Sequence, residues 1–382
     1  MNFELSSEQR DIKLAAREFA EGEFSEIARD YDAKEEYPLN LLKKACELGF
    51  VGLFIDEKFG GSGLGLLEHI LVLEEFCRVD PGCGHILLST MGAEIIMASG
   101  TAEQKTRYIP PLTKGTSIMG CAIAETGIGI DTGAIAATAV SVGDGYTLNG
   151  EKVFVTNGSI ADCLIVLCCT DSSTRSLQQK FSLFIVDPKL PGCDVTKIKN
   201  KVGLRASNVA NVRLKNVSVP VECLLGGEEG RGLDQIRPCL DVMRLVAAAQ
   251  SIGAAQGAME EAVSYVKKRK AFGQTIGSFE VTQLKIGEMA TYIEASRRLC
   301  YQAAWMLDQD KRDASLISMA KWFAGETGGR VADGALQLHG GYGYMTESPI
   351  EHFFRDAVTA ENYGGYKELE KSFIGRELIG GI

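Results

Sequence analysis

The sequence predicts an α+β protein with an N-terminal all-α domain, a middle β-barrel-like domain and a C-terminal four-helix bundle. Two changes of hydrophobic periodicity indicate this order: helical spacing gives way to short apolar strands near residue 118, and it returns past Gly232. At 382 residues the chain is long enough for two or three cooperating subdomains. The expected domain boundaries are 1–117, 118–230 and 231–382.

Capping residues place the helices of the first domain. Ser6 is typical of a helix N-cap, and Pro38 is typical of a helix start, with Gly49 at the end of that helix. A further apolar helix is expected from about His85 to Ala98. In the last domain, the longer helices are expected at 234–270, 279–309, 313–338 and 366–378.

Short apolar runs separated by turn residues predict the middle domain. The segment 146–156 contains Asn149-Gly150, the dipeptide most typical of a tight turn, so we expect a hairpin that turns there. Further strands are expected at 118–124, 164–169, 181–186, 209–214 and 217–219.

Composition and charge exclude several classes of protein. A net charge of −10 argues against nucleic acid as a partner, because phosphate backbones need a basic face. No apolar stretch approaches the ~18 residues of a membrane span, and the first residues lack the pattern of an export signal. Eleven cysteines without a Cys-x-x-Cys pair predict a reducing cytoplasm, and four scattered histidines predict no metal site.

Glycine-rich and aromatic motifs follow one another through the chain. The most informative runs from Gln337 to Tyr344, where three glycines after a helical run allow a backbone to approach a flat or phosphorylated ligand. In their order, these motifs resemble those of the acyl-CoA dehydrogenase family over nearly the whole chain. The other matching segments are Phe59-Gly60-Gly61-Ser62-Gly63, Glu125 to Asp131, Leu148 to Gly158, Arg269-Lys270-Ala271-Phe272-Gly273 and Arg355-Asp356-Ala357.

The resemblance implies a homotetramer that carries one FAD per subunit, acts on a CoA thioester and passes electrons to an electron-transferring flavoprotein. In that family a carboxylate removes the α-proton of the acyl group while the β-hydride moves to the flavin. Asp241 and Arg244 match a pair that reaches the CoA part, and Thr90 lies on a segment that flanks the acyl group. The residues implied to bind FAD are Ile123, Gly129, Phe154, Thr156, Arg269, Phe272, Gln337, Gly340 and Gly341.

The sequence departs from the family at the catalytic base. The glutamate of the usual Y-E-G-T motif is replaced by Gly364, and the alternative position of the base, in D-x-E-R, holds Met243. Neither glycine nor methionine can accept a proton, and loss of a positioned base lowers the reaction rate by orders of magnitude. Ordinary α,β-dehydrogenation is therefore in doubt, although the cofactor motifs remain.

These residues are consistent with three different functions. In the first, the enzyme removes a more remote, vinylogous proton from an unsaturated or cyclic acyl-CoA, with His85, Tyr366 or Glu361 as the candidate proton-transfer group. In the second, the same scaffold reduces an enoyl-CoA or eliminates a group other than a proton. In the third, the chain is a catalytically silent assembly subunit, which the retained cofactor motifs disfavour. For each candidate group, a purely structural role is the alternative.

Overall fold

The computed structural model describes residues 4–127, 132–174 and 176–380. Its first domain contains the helices α1 (Ser7–Glu23), α2 (Ala28–Lys34), α3 (Leu39–Glu47), α4 (Leu66–Val79), α5 (Pro81–Gly84), α6 (Ala93–Ser99) and α7 (Ala102–Thr113). Ser6 caps α1 as the sequence predicts: its hydroxyl accepts from the backbone of Gln9 at 3.1 Å, and the Gln9 side chain accepts from the backbone of Ser6 at 3.0 Å. Helix α4 is buried over almost its whole length and forms the centre of this domain.

The helix expected from His85 to Ala98 is interrupted. A 3-10 segment spans His85–Thr90, and α6 begins only at Ala93, because Gly92 between them has a φ of 103°. A Cβ atom at Gly92 would lie 2.8 Å from the sulfur of Cys121, so both the backbone angle and the space require glycine. The prediction of one continuous helix is therefore wrong.

The middle domain is a curled sheet formed by long-range pairing. Its strands are β1 (Met119–Ala122), β2 (Thr138–Val142), β3 (Gly145–Thr156), β4 (Cys163–Cys169), β5 (Phe181–Val186), β6 (Cys193–Lys197) and β7 (Val209–Pro220). Within the described residues the strand order is β1-β4-β2-β3-β7-β6, and β5 lies beside β4. β3 and β7 form a long antiparallel pair, whereas β1 runs parallel to β4.

The predicted turn at Asn149-Gly150 is wrong. β3 runs through this dipeptide, and β7 pairs with it on both sides, at Leu148 and at Gly150. The shift in register between these two pairs makes the site a β-bulge, where a Cβ at Gly150 would lie 2.5 Å from the side chain of a neighbouring alanine. The hairpin turn lies instead at Gly143-Asp144, between β2 and β3, where Gly143 has a φ of 63°.

The C-terminal domain is a helical bundle. Its elements are α8 (Gly232–Lys268), β8 (Lys270–Ala271), β9 (Gln274–Thr275), α9 (Glu280–Asp308), α10 (Ala314–His339), α11 (Pro349–Ala360) and α12 (Lys367–Ile379). α8 packs against α10 and also against α4 of the first domain, so it joins the two helical domains. Small residues allow the helices to approach closely: a Cβ at Gly328 on α10 would lie 3.3 Å from the Cβ of Ser251 on α8. Helix α11 has no counterpart among the helices that the sequence predicts.

A buried charged cluster, which we call the His352 cluster, ties the first domain to the last. Nε2 of His352 on α11 lies 3.2 Å from a carboxylate oxygen of Asp80 and 3.1 Å from one of Asp356. Arg355 adds a second cation, 2.9 Å from Asp32 on α2. Although burial opposes the charged imidazolium, the nearby carboxylates raise the pKa of His352 to about 10. The cluster is therefore an ion-pair network that holds two domains together.

All eleven cysteines lie in the described part of the chain and carry free thiols. Burial raises the pKa of those in the first domain, such as Cys77, and raises that of Cys168 in the sheet to about 12. Cys300 on α9 is buried in the same way. Among the described helices, none combines the length and the apolar character needed to cross a membrane.

Candidate functional site

A cavity of about 20 Å³, which we call the inner cavity, lies where α4, α6, α8 and the His85–Thr90 segment meet. It can hold about one water-sized group. Three polar side chains, His69, Thr90 and Glu94, face it together with Met243. Apolar residues complete the lining: Phe54, Leu87, Leu88, Met91, Val242 and Val246.

The two positions at which the family carries its base lie side by side, and one of them lines the inner cavity. Met243 lines the cavity directly. Gly364 has a φ of 69°, and a Cβ there would lie 2.9 Å from the carbonyl oxygen of Met243. A side chain at position 364 is therefore opposed both by the backbone angle and by the lack of space. Neither the thioether of Met243 nor the bare backbone of Gly364 can exchange a proton.

His85 is buried, and both of its ring nitrogens are engaged. Nδ1 lies 2.8 Å from the hydroxyl of Ser207, and Nε2 lies 2.7 Å from the side-chain oxygen of Gln250. Burial lowers the pKa of His85, although the Gln250 hydrogen bond acts in the opposite direction. Its ring lies 5.6 Å from that of Tyr363. His85 thus supports Tyr363, and within the described residues it has no nitrogen left for a substrate.

Tyr363 is the aromatic residue directly before Gly364. Its hydroxyl is buried without a hydrogen-bond partner in the described part of the chain. The hydroxyl of Thr156, at the end of β3, lies beside it outside hydrogen-bonding geometry. The phenol of Tyr363 therefore lies beside the end of β3, and its residue is the neighbour in sequence of Gly364, one position of the missing base.

The other two sequence candidates lie on the connection between α11 and α12. Glu361 caps α11, and its carboxylate lies 3.4 Å from Nζ of Lys367. Its carbonyl accepts from Nζ of Lys321, a buried lysine whose pKa burial lowers to about 8. Tyr366 precedes α12 and is half-buried. Neither Glu361 nor Tyr366 lines the inner cavity.

Two aromatic residues predicted to bind the cofactor are exposed in strained conformations. Phe154 has a φ of 54° and is 72% exposed, and Phe272 has a φ of 50° and is 96% exposed. Large side chains rarely adopt this left-handed conformation, and apolar rings are rarely this exposed without a function. Both features indicate rings that are held out for a partner surface or a flat ligand.

Other residues predicted to bind the cofactor line a second cavity, of about 440 Å³, which we call the Arg269 cavity. Arg269, Gln337, Gly340 and Gly341 all face it. A Cβ at Gly340 or Gly341 would meet nothing within 4 Å, so packing alone does not explain these glycines. An arginine beside an open backbone is a suitable surface for a pyrophosphate.

A buried ion pair organises the loop that follows β1. Lys152 on β3 lies 2.7 Å from the carboxylate of Glu125, which also accepts from the backbone of Ala136 and Ala137 at 2.8 and 3.1 Å. Ile123 precedes this loop, and its carbonyl accepts from Lys152 at 3.1 Å. The two ends of the loop are therefore fixed to β3. Gly129, another predicted cofactor residue, lies outside the described residues.

Asp241 and Arg244 lie on α8 at the edge of a third cavity, of about 660 Å³, which we call the outer cavity. Both residues are engaged in ion pairs: Asp241 with Arg312, at 2.5 and 3.1 Å, and Arg244 with Glu370, at 2.9 Å. Ser315 also lines the cavity, and its buried hydroxyl has no hydrogen-bond partner among the described residues. Arginines are concentrated here: Arg237, Arg244, Arg312 and Arg376. The outer cavity is therefore suited to phosphate groups.

Sequence reasoning missed the two ionisable residues of the inner cavity, His69 and Glu94. A signal for Glu94 exists, because it interrupts an apolar run whose neighbours Ile95 and Ile96 are fully buried. His69 gives no such signal, since a single histidine on an apolar helix is common in protein cores. Only the tertiary packing brings the two residues to one cavity.

The residues present fit the cofactor that the resemblance implies. Thr156 offers a hydroxyl at the end of β3, the two exposed phenyl rings offer flat apolar surfaces, and Arg269 offers a cation to a pyrophosphate. Each of these features is unexplained by packing within one chain, and each has a partner in a flavin adenine dinucleotide.

Comparisons with known proteins find similar sequences that match nearly the whole chain. Sequence profiles of the acyl-CoA dehydrogenase N-terminal, middle and C-terminal domains match residues 6–116, 120–217 and 230–379. "Probable acyl-CoA dehydrogenase YngJ" of Bacillus subtilis is 36% identical, with 99% of this chain and 100% of that protein covered. "Caffeyl-CoA reductase-Etf complex subunit CarC" of Acetobacterium woodii is 37% identical, with 98% and 99% covered.

A solved structure described as "Electron transferring flavoprotein of Acidaminococcus fermentans: Towards a mechanism of flavin-based electron bifurcation" superimposes with a TM-score of 0.96 at 37% identity, covering 100% of both chains. The three domain profiles, the full-length relatives and the common fold lead to one conclusion. The chain belongs to the acyl-CoA dehydrogenase family of FAD-dependent oxidoreductases.

Proposed function

We propose that this enzyme dehydrogenates an unsaturated or cyclic acyl-CoA and takes the substrate proton with a group displaced from the usual glutamate position. The observation that carries the proposal is the cavity wall at Met243, with Gly364 packed against the backbone of that residue: neither position has an ionisable side chain, while the cofactor residues are retained. An α-proton facing that wall has no base. An acyl group that is already unsaturated offers an acidic proton further along the chain, at a carbon that lies away from Met243 and Gly364.

The roles of the remaining residues follow from their positions. The arginines of the outer cavity would bind the phosphates of CoA, and Asp241 would hold Arg312 in place for that contact. His85 would fix the ring of Tyr363, whose free hydroxyl can bind a polar atom of the substrate. FAD, when bound, supplies the acceptor of the hydride. Tyr366 and Glu361 stay candidates for proton transfer, to be tested by Tyr366→Phe and Glu361→Gln.

A reductase that works in the opposite direction is the second candidate. The relative CarC is named as part of a caffeyl-CoA reductase, and the residues around the inner cavity are compatible with either direction. The direction depends on the electron partner. We propose an electron-transferring flavoprotein in that role, because the relative's name includes an Etf complex. We further propose a homotetramer in the cytoplasm, in which the exposed Phe272 meets a neighbouring subunit.

The test is an anaerobic titration of the purified holoenzyme with saturated, cyclic and dienoic acyl-CoA thioesters, followed by the flavin absorbance near ~450 nm. We expect bleaching with an unsaturated or cyclic thioester and none with a saturated one. Efficient bleaching by a saturated thioester would contradict the displaced base. If no thioester bleaches the flavin, but an enoyl-CoA reoxidises the dithionite-reduced enzyme, the reductase is the better description. Protein that cannot be reconstituted with flavin would indicate the silent subunit.

A further inference from the structure

The inner cavity has lost the family's carboxyl group at one wall and contains another at a different wall. Within the described residues, Glu94 is the one carboxyl group that lines it. Glu94 lies in the first turn of α6, two residues after Gly92, the glycine that separates this helix from the preceding 3-10 segment. It keeps some accessible surface in the interior of the protein, because it faces a cavity.

Glu94 differs from the other buried acids of this protein in having no cation beside it. Glu74 lies 2.8 Å from Lys13 and 3.0 Å from Arg297, and other buried carboxylates have similar partners. In contrast, Glu94 accepts from the backbone of Gly92 at 3.2 Å and from the thiol of Cys239, with no ion pair among the described residues. Burial therefore raises the pKa of Glu94 above that of an ordinary glutamate.

A polar atom without a hydrogen-bond partner among the described residues faces the same cavity. His69 is 3% exposed, and its Nδ1 has no hydrogen-bond partner in the part of the chain that the structure describes. Burial lowers the pKa of His69 to about 4, so the imidazole is neutral at physiological pH and does not neutralise Glu94. Buried polar atoms are nearly always paired in folded proteins, so an unpaired atom at a cavity indicates a place for a ligand.

We propose that Glu94 is the group that accepts the proton from the acyl chain of the bound thioester, in place of the carboxylates missing at Gly364 and Met243. This inference rests on the proposed function and specifies its base. The C–H bond γ to the thioester carbonyl breaks, the proton moves to a carboxylate oxygen of Glu94, and the electron pair is delocalised through the double bond to the thioester oxygen. FAD, when bound, would supply the two-electron acceptor for the hydride that a second carbon of the same acyl group must lose.

The proton step can be measured without any redox reaction. Crotonyl-CoA has γ-hydrogens that a base in the inner cavity would exchange with solvent, through the same delocalised anion. We would incubate the holoenzyme with crotonyl-CoA in D₂O and follow deuterium at C4 by mass spectrometry. We expect exchange with the wild type and a loss of about 100-fold or more in Glu94→Gln, since a general base contributes about 10²–10⁴-fold. The control is Glu103→Gln, an exposed glutamate in the first turn of α7.

Four further readouts separate a catalytic role from a structural one. Glu94→Gln should keep its flavin and its affinity for crotonyl-CoA, and the wild-type exchange rate should rise with pH through a value above 4.5. Glu94→Asp, which keeps a shorter carboxylate, should restore part of the exchange and serves as the test if Glu94→Gln does not fold. The proposal is overturned if the wild type shows no exchange, if Glu94→Gln exchanges normally, or if the variant loses only affinity.

The experiments can distinguish failure of the Glu94 assignment from failure of the proposed dehydrogenase function. If deuterium exchange depends on Glu94 but no thioester bleaches the flavin, Glu94 is retained as the base and the dehydrogenase activity is rejected. Bleaching that is equal in wild type and Glu94→Gln would retain the activity and reject Glu94.

Discussion

The His352 cluster and the inner cavity are both buried and contain polar groups, but only the cluster pairs its charged groups with groups of opposite charge. In the cluster, one imidazolium lies 3.2 Å from Asp80 and 3.1 Å from Asp356, and Arg355 pairs with Asp32. In the inner cavity, Glu94 has no cationic partner among the described residues, and Nδ1 of His69 is without a hydrogen bond in the same part of the chain.

The difference indicates what each region is for. A buried charge without a partner lowers the stability of the fold, so a region that only stabilises the protein is expected to pair all of its charges. The His352 cluster does so and joins two domains. The inner cavity leaves polar atoms available for a ligand, which is the usual relation between stability and function at active sites.

Adding a carboxyl group to the inner cavity is the change with the largest expected effect. Met243 lines the cavity on α8, and glutamate has a similar length. We expect Met243→Glu to restore a base near the α-carbon and to accelerate flavin reduction by butyryl-CoA about 10²–10⁴-fold over the wild type. Stopped-flow absorbance measures this rate. Met243→Gln is the matched control, and equal rates in the two variants would show that the missing base does not limit this reaction.

Removing the cation from the His352 cluster should have the next largest effect. His352→Ala leaves Asp80 and Asp356 buried without their common partner, which we expect to cost about 3–5 kcal/mol in the free energy of unfolding. Urea denaturation followed by circular dichroism measures the change. His352→Lys should recover part of the stability, because it returns a positive charge. A loss below about 1 kcal/mol in His352→Ala would contradict the role assigned to the cluster.

The pH dependence of the unfolding free energy tests the role of the charge in the His352 cluster. The pKa of His352 is raised in the folded state to about 10 from its ordinary value of 6.5. Its contribution is therefore complete below about pH 6.5 and is lost as the pH rises towards 10. We expect the difference in unfolding free energy between wild type and His352→Asn to shrink steadily over this window. A difference that is constant from pH 6.5 to 10 would show that the charge of His352 is unimportant.

The smallest expected effect has the opposite sign. Because burial raises the pKa of Glu94, its ionised form destabilises the fold above the pH at which the unfolded glutamate ionises. Glu94→Gln keeps an oxygen for the backbone of Gly92 and should raise the free energy of unfolding at pH 7 by about 1 kcal/mol. Thermal denaturation of the wild type and the variant provides the measurement. A clear loss of stability would assign Glu94 a structural role.

Sequence patterns predict the architecture well because periodicity and capping are local properties. The three long helices 232–268, 280–308 and 314–339 fall within a few residues of their expected positions. The Asn149-Gly150 turn fails because strand β7, far away in sequence, pairs on both sides of it and converts a turn signal into a bulge. Tertiary pairing overrides local preference there.

The same distinction applies to the site. Gly364 and Met243 could be identified from motifs, because the absence of a carboxylate at a motif position can be read directly from the sequence. The partners of Asp241 and Arg244 could not, because Arg312 and Glu370 come from distant segments. Glu94 is visible in the sequence only as an acid in an apolar run, because the four elements that form its cavity meet only in the folded state.

The buried thiols give this protein a set of internal reporters. Thiolates are the form that alkylating agents attack, and burial raises the pKa of Cys77 in the first domain, Cys168 in the sheet and Cys300 in the bundle. Alkylation of these residues in the native protein therefore requires local opening. Timed labelling with iodoacetamide, read out by peptide mass spectrometry, would rank the three domains by how often each one opens.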